Sequence, residues 1–244
     1  MSVHTPVSPG VRTNGTQAVP PRTTTSLWLP ALAGAVFFAL IFVYGQLFGQ
    51  LFGSPAPAAT DSAREVASYV ARHHDRLQLA AVALGFAMPA ALIWLSGVVQ
   101  ALRQLEGPSR VAGLTALGGG ILAAASTVTG ALALGTTAIR FADLGASGTR
   151  TGWTMVLVSM GGTLLGLMLV IGATTVVSLR TQLFARWFTV ASGVLVLLSL
   201  IGAFSIGYGS KAIEFIAAIT FGLDSVWVLL VSVFMWRNPQ RAAP

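Results

Sequence analysis

Six apolar stretches, roughly 27–53, 77–102, 111–139, 153–179, 187–208 and 212–236, occupy most of this 244-residue chain, and five of the six contain no Asp, Glu, Lys or Arg. A hydrocarbon core about 30 Å thick is crossed by about 20 residues of helix, and each stretch is that long. Lipid offers the backbone no hydrogen bonds, so such stretches are expected to be helical. The pattern predicts an all-α fold: a polytopic bundle of six transmembrane helices.

Composition narrows the alternatives. Only 9% of residues are charged, against about 25% in a soluble domain, too few for a water-facing surface. The net charge of +7 comes from basic residues set singly at the ends of apolar stretches. That placement suits phospholipid headgroups and lacks the basic stripe of a nucleic-acid binder, so no nucleic-acid partner is expected. The chain has no cysteine, which excludes disulfides, thiolate metal sites and cysteine nucleophiles.

Residues 1–26 are rich in Thr, Pro and Ser and read as a disordered tail. Ala56-Pro57-Ala58 resembles a signal-peptidase site, but the preceding apolar run of 27 residues exceeds the 7–15 of a signal core, so a retained first helix is expected. With the N-terminus in the cytoplasm, the inner segments hold Arg12, Arg22, Arg103, Arg110, Arg180, Arg186, Arg237 and Arg241, with Glu106 as their only acid. The outer segments hold Arg64, Arg72, Arg76, Arg140, Arg150 and Lys211, mixed with five acids. The excess of inner Lys and Arg, eight against six, places both termini, including the short tail 239–244, in the cytoplasm of a bacterial inner (cell) membrane. Trp28, Trp153, Trp187, Trp236 and Tyr208 fall at stretch ends, where interfacial anchors belong.

The one long connection, 54–76, opens on Ser54-Pro55-Ala56-Pro57. Thr60 or Asp61 is expected to cap a new helix with Glu65 in its first turn. Ala63, Val66, Ala67, Val70 and Leu77 recur at helical spacing, predicting a short outer amphipathic helix that leads into the second span.

Small residues mark where helices should meet, because lipid tails do not drive helices together hydrophobically. The third stretch carries two rows, Ala112, Ala116, Gly120, Ala124 and Gly119, Ala123, Thr127, Ala131, Gly135, which predicts a central helix. Gly162 and Gly166 form a GxxxG pair, and the first stretch ends in the tandem repeat of Gly45, Gly49 and Gly53 with Gln46 and Gln50 beside them. Packing within the chain explains these rows; a homodimer seam joined by glutamine hydrogen bonds is the alternative.

Asp224 is the outstanding polar position. It lies about 12 residues from each end of the last stretch, ~18 Å deep at 1.5 Å per residue. A carboxyl at that depth costs about 2.5–3.5 kcal/mol and needs a partner, a wet cavity or a proton. Thr220 is one turn away, while Ser199 and Pro89 fall near the same depth. Pro89 also deprives the Gly85 carbonyl of its helical donor. These four residues form the candidate intramembrane polar site: a proton or cation site, or a protonated Asp held inside the bundle.

Other motifs lead nowhere catalytic. His73-His74-Asp75 with Asp61 and Glu65 invites a metal, but adjacent helical histidines diverge by about 100°, and a solvated helix end is the simpler reading. Gly145-Ala146-Ser147-Gly148 matches the rhomboid protease string, yet that mechanism needs a histidine on the last helix, and the histidines here are His4, His73 and His74. The loop reading, a flexible connection, is preferred. Gly222-Leu223-Asp224 resembles the aspartyl intramembrane proteases, which require two carboxylates. No HExxH, P-loop or dinucleotide motif occurs. The expectation is a non-enzyme without cofactor.

The run 61–84, the Leu95-Ser96-Gly97 and Ala101-Leu102-Arg103 ending of the second stretch, and Leu183-Phe184-Ala185-Arg186-Trp187 with Gly193 resemble an uncharacterised family of multi-pass membrane proteins from GC-rich bacteria. The resemblance implies an inner-membrane helical bundle and assigns no active-site residue. The function expected is packing with itself, with lipid or with a membrane-protein partner; the alternative is a small transporter or proton-coupled carrier that uses Asp224.

Overall fold

A computed structural model describes residues 27–48, 56–205 and 211–237. Every regular element among them is helical: α1 (Trp28–Phe48), α2 (Ala63–Glu106), α3 (Val111–Thr181), α4 (Arg186–Ser205) and α5 (Lys211–Arg237), with a 3-10 turn, Gly107–Ser109, between α2 and α3. Each of the five α-helices is long and apolar enough to cross a membrane. Successive helices are neighbours, and α5 returns to pack on α1. Gly49, Gly53, Gln50, Tyr208 and both terminal tails lie outside the described residues.

At 71 residues, α3 would be ~107 Å long if straight. Two residues interrupt it: Arg140 (φ −108°, ψ 15°) and Gly145 (φ 62°, ψ −178°). The second conformation is closed to side chains with a Cβ, which is why glycine stands there. The chain then doubles back. Gly119 lies against Gly166 and Val170, Thr127 against Thr163, Gly130 against Ser159, and Gly152 against Thr137. Partner numbers fall as the first arm's numbers rise, so the two arms of α3 are antiparallel. The stretch 145–148, expected to be a flexible loop, is thus the ordered tip of a helical hairpin.

The 44 residues of α2 extend ~66 Å, about twice a hydrocarbon core. Its first turns carry Arg64, Glu65, Arg72, Asp75 and Arg76 and run without a break into the apolar part. The cap is Ser62, not Thr60 or Asp61: the Ser62 hydroxyl accepts the Glu65 N–H at 3.3 Å, and the Glu65 carboxylate accepts the Ser62 N–H at 2.8 Å. This reciprocal box satisfies two otherwise orphaned donors. Asp61 is occupied elsewhere, accepting the Ala58 N–H at 3.0 Å.

Val66, Tyr69 and Val70 of that extension are buried, and what they pack on revises one expectation. Trp153 is no interfacial anchor. It is 1% exposed, against 54% for Trp28, 70% for Trp187 and 58% for Trp236. Its ring stacks on Phe48 at 5.2 Å and meets the edge of Tyr69 at 5.6 Å. Its indole N–H donates to the Pro57 carbonyl at 2.9 Å. A large ring with one donor is buried stably when that donor finds an acceptor, and the 56–62 connection supplies it.

The two small-residue rows of α3's first arm serve different neighbours. Gly120 receives the Leu95 side chain of α2, whereas Gly119 and Ala123 receive the backbone of the second arm at Gly166. Outside, the surface is apolar: Phe86, Leu132, Ile139 and Leu179 are each at least 67% exposed. Soluble monomers do not present apolar faces on this scale, and hydrocarbon tolerates them.

Candidate functional site

Polar side chains concentrate along the contact of α4 with α5 and the second arm of α3. On α4, Thr189, Ser192 and Ser199 fall at spacings of three and seven, which places them on one helical face. On α5, Thr220, Asp224 and Trp227 do the same. The helices run antiparallel, so the two rows meet in sequence. Ser178 and Thr189 hydroxyls are 2.8 Å apart, the Trp227 indole donates to Ser192 at 2.9 Å, and Ser199 lies 3.1 Å and 3.2 Å from the two Asp224 carboxyl oxygens. All six of these side chains are buried.

Asp224 is the middle residue of α5 and is 0% exposed. Ser199 also donates to the Leu195 carbonyl at 2.8 Å. A serine hydroxyl owns a single proton. Both contacts are therefore full hydrogen bonds only when the carboxyl brings a proton of its own. Thr220, 1% exposed, has a hydroxyl with no hydrogen-bond partner among the described residues. It lies beside Gly202 of α4, one turn from Asp224.

The four residues singled out by depth are not all brought together. Ser199, Asp224 and Thr220 share the α4–α5 seam. Pro89 does not join them: it stands on the exposed face of α2, which continues unbroken through it. Depth along a helix is legible from residue number, but the direction a residue faces depends on which neighbours the helix acquires. Among the helix-packing candidates, Gly120 is buried against α2 and Gly166 against the first arm of α3, Gly162 faces Ser126 across the α3 hairpin, and Gly45 is half-buried on α1. The Gln46 amide nitrogen beside it is buried without a hydrogen-bond partner among the described residues.

A second polar arrangement closes the α2–α3 connection. Arg110, at the cap position of α3, has φ 50° and offers no side-chain acceptor. Glu106 takes over: its carboxylate accepts the Ala112 and Gly113 N–H groups at 2.7 Å and 3.1 Å and the Ser109 hydroxyl at 3.0 Å. Desolvation alone pushes this carboxyl up. The backbone donors of Ala112 and Gly113, with Ser109 and Val111, together outweigh it and hold Glu106 below the usual carboxylate range. The sequence signal for this role was weak, because the acid lies outside the usual cap position.

On α2, towards the tip of the α3 hairpin, His73 and His74 are each engaged by an aromatic ring. The His73 ring packs on Tyr69 at 4.5 Å, and the His74 ring on Phe141 at 5.3 Å. Among the described residues, no group of three His, Asp or Glu side chains is placed to hold a metal ion.

No family model, no curated protein and no solved structure matches this chain.

Proposed function

We propose that this chain is a six-crossing integral protein of a bacterial cell membrane, with both termini cytoplasmic, that works without catalysis by packing against itself, lipid or a membrane partner. The antiparallel arms of α3 support six crossings, since each arm is as long as a hydrocarbon core is thick. Under this reading, residues 63–76 form the outer, amphipathic start of α2. The resemblance to an uncharacterised membrane family points the same way and adds no activity.

The observation that carries the non-catalytic reading is the Ser199–Asp224 contact. The most expensive group in the membrane is fully buried and spent on joining two helices of the same chain. Cross-linking and native mass spectrometry in lipid test the reading. A specific oligomer, retained lipid or a co-purifying membrane partner supports it, and a bare monomer under all conditions opposes it.

One observation favours a carrier as the second reading. The Thr220 hydroxyl is buried with no hydrogen-bond partner among the described residues, one turn from Asp224, and ionisable groups inside a membrane mark ion and proton pathways. On this reading, Asp224→Asn abolishes a pH-dependent flux in proteoliposomes while the fold survives. An unchanged flux removes Asp224 from any transport role.

A further inference from the structure

Asp224 has no positive charge near it. Of the elements packed on α5, α4 carries Arg186 as its only ionisable residue, 13 positions from Ser199 and so ~20 Å away along the helix. From α1 comes Tyr44, whose ring meets Phe221 at 6.4 Å and which brings no positive charge. The ionisable residues of α3 are Arg140, Asp143, Arg150 and Arg180, at its tip and its C-terminal end; beside Gly202 and Thr220 it presents Leu164. Where α2 touches α5 it does so through Trp94 and Gly97. On α5 itself, Lys211, Glu214 and Arg237 stand ten or more positions from Asp224.

We infer that the Ser199–Asp224 pair is an exchangeable proton-binding site that takes no metal cation; this rests on the carrier reading above and names its cargo.

The oxygens exclude a metal. Hard cations such as Ca²⁺ and Mg²⁺ take about six or more oxygen ligands at about 2.0–2.6 Å, and intramembrane sodium sites draw many of theirs from unwound backbone. Here α4 and α5 run as continuous helix through Ser199 and Asp224, so their carbonyls are committed. The side chains offer the two Asp224 oxygens, Ser199 and Thr220. Ser199 also stands where a bidentate ion would sit, 3.1 Å and 3.2 Å from the two carboxyl oxygens.

A proton fits the same geometry. The shorter contact of the Ser199 hydroxyl, 2.8 Å, is to the Leu195 carbonyl. With its proton placed there, the serine oxygen faces the carboxyl as an acceptor, and a protonated carboxyl is the donor it lacks. Release is balanced within the site. The proton passes from Asp224 to water and its electron pair stays on the carboxylate. Ser199 then turns its hydroxyl proton from Leu195, whose carbonyl keeps its helical N–H bond. The Thr220 hydroxyl, unpartnered among the described residues, is a second donor one turn away.

Infrared difference spectroscopy of the full-length protein tests this, in vesicles of ether-linked phospholipid, which lack ester carbonyls. At neutral pH the wild type minus Asp224→Asn spectrum should show the carbonyl band of a protonated carboxyl. The band should shift in D2O and stay unchanged when Na⁺, K⁺ or Ca²⁺ is added at fixed pH. Thr220→Val should slow the D2O shift several-fold, because the carboxylate formed on release loses a donor. If Asp224→Asn does not fold, carboxyl-¹³C aspartate gives the same readout in the protein carrying Asp61→Asn, Asp75→Asn and Asp143→Asn, where Asp224 is the one aspartate left. A band absent at neutral pH, or one that D2O never shifts, overturns the proposal. So does a Thr220→Val protein that exchanges at the wild-type rate. A band that weakens with added metal ions overturns it too, but leaves the carrier reading with a metal as cargo. The carrier reading fails separately, if the band exchanges as expected while Asp224→Asn leaves proteoliposome flux unchanged.

Discussion

The Trp153 indole N–H and the Pro57 carbonyl, separated by 96 residues of sequence, are joined by a 2.9 Å hydrogen bond. The bond fastens the connection after α1 to the start of α3's second arm, and Phe48 and Tyr69 pack around it. Trp153→Phe preserves the stacking but leaves a buried carbonyl without its donor, an expected loss of about 1–3 kcal/mol. Trp153→Ala adds a cavity and should lose about 3–5 kcal/mol. Thermal unfolding in mild detergent should rank wild type above Trp153→Phe above Trp153→Ala. A Trp153→Phe protein as stable as wild type would show that the bond contributes nothing.

The two arms of α3 approach through Gly166, where an added Cβ meets the backbone of Ala123 and Gly119. Backbone cannot swing aside, so Gly166→Ala should push the arms apart at a cost of about 1–3 kcal/mol. At Gly162 the obstacle is the Ser126 side chain, which can rotate, and Gly162→Ala should cost less. At Gly222 there is no obstacle, and Gly222→Ala should be close to neutral. Denaturant titrations of the three variants check this order, and a Gly166→Ala protein no weaker than Gly222→Ala would refute it.

Ser199 and Asp224 should be energetically coupled. Interhelical hydrogen bonds in membranes average ~0.6 kcal/mol in double-mutant cycles and reach ~1.7 kcal/mol. A cycle of Ser199→Ala and Asp224→Ala is expected to give a coupling in this range, with Asp224→Asn alone the milder change because an amide still fits the serine. Additive losses would mean that the two groups are neighbours without a bond.

Glu106 supplies a pH dependence whose sign follows from its donors. Its carboxyl is held below the usual carboxylate range, so the cap's contribution is fully present above the unfolded-state pKa and is lost as pH falls through the folded one. The protection of the Ala112 and Gly113 amides against hydrogen exchange, taken relative to the unprotected rate at each pH, should therefore fall on acidification. In Glu106→Gln exchange should be fast at neutral pH and lose that acid dependence. Protection that persists in Glu106→Gln would assign the cap to something else.

Much of this architecture is legible in the chain because oil imposes a simple rule on it. Runs of some 20 apolar residues must be helical, and the stretch boundaries near Leu102, Val111, Leu179 and Trp187 lie within a few residues of helix ends. Small residues at four-residue spacing marked Gly120 and Gly166 as contact points. Direction was harder to read. Trp153 carries the same interfacial signature as Trp28 and Trp187, and only the fold reveals that the 56–62 connection covers it. Pro89 shares Asp224's depth but faces outward. The Glu106 cap and the Ser192–Trp227 pair depend on neighbours that no local pattern specifies.

The hairpin in α3 is the feature on which the membrane account turns, and single-cysteine accessibility tests it most directly because the chain has no cysteine of its own. Ser109→Cys, Asp143→Cys and Gln182→Cys place reporters at the two base connections and near the tip. In intact cells, a membrane-impermeant maleimide should label position 143 from outside and should label 109 and 182 only after the membrane is opened. Labelling of position 143 from the same side as 109 and 182 would contradict the six-crossing bundle.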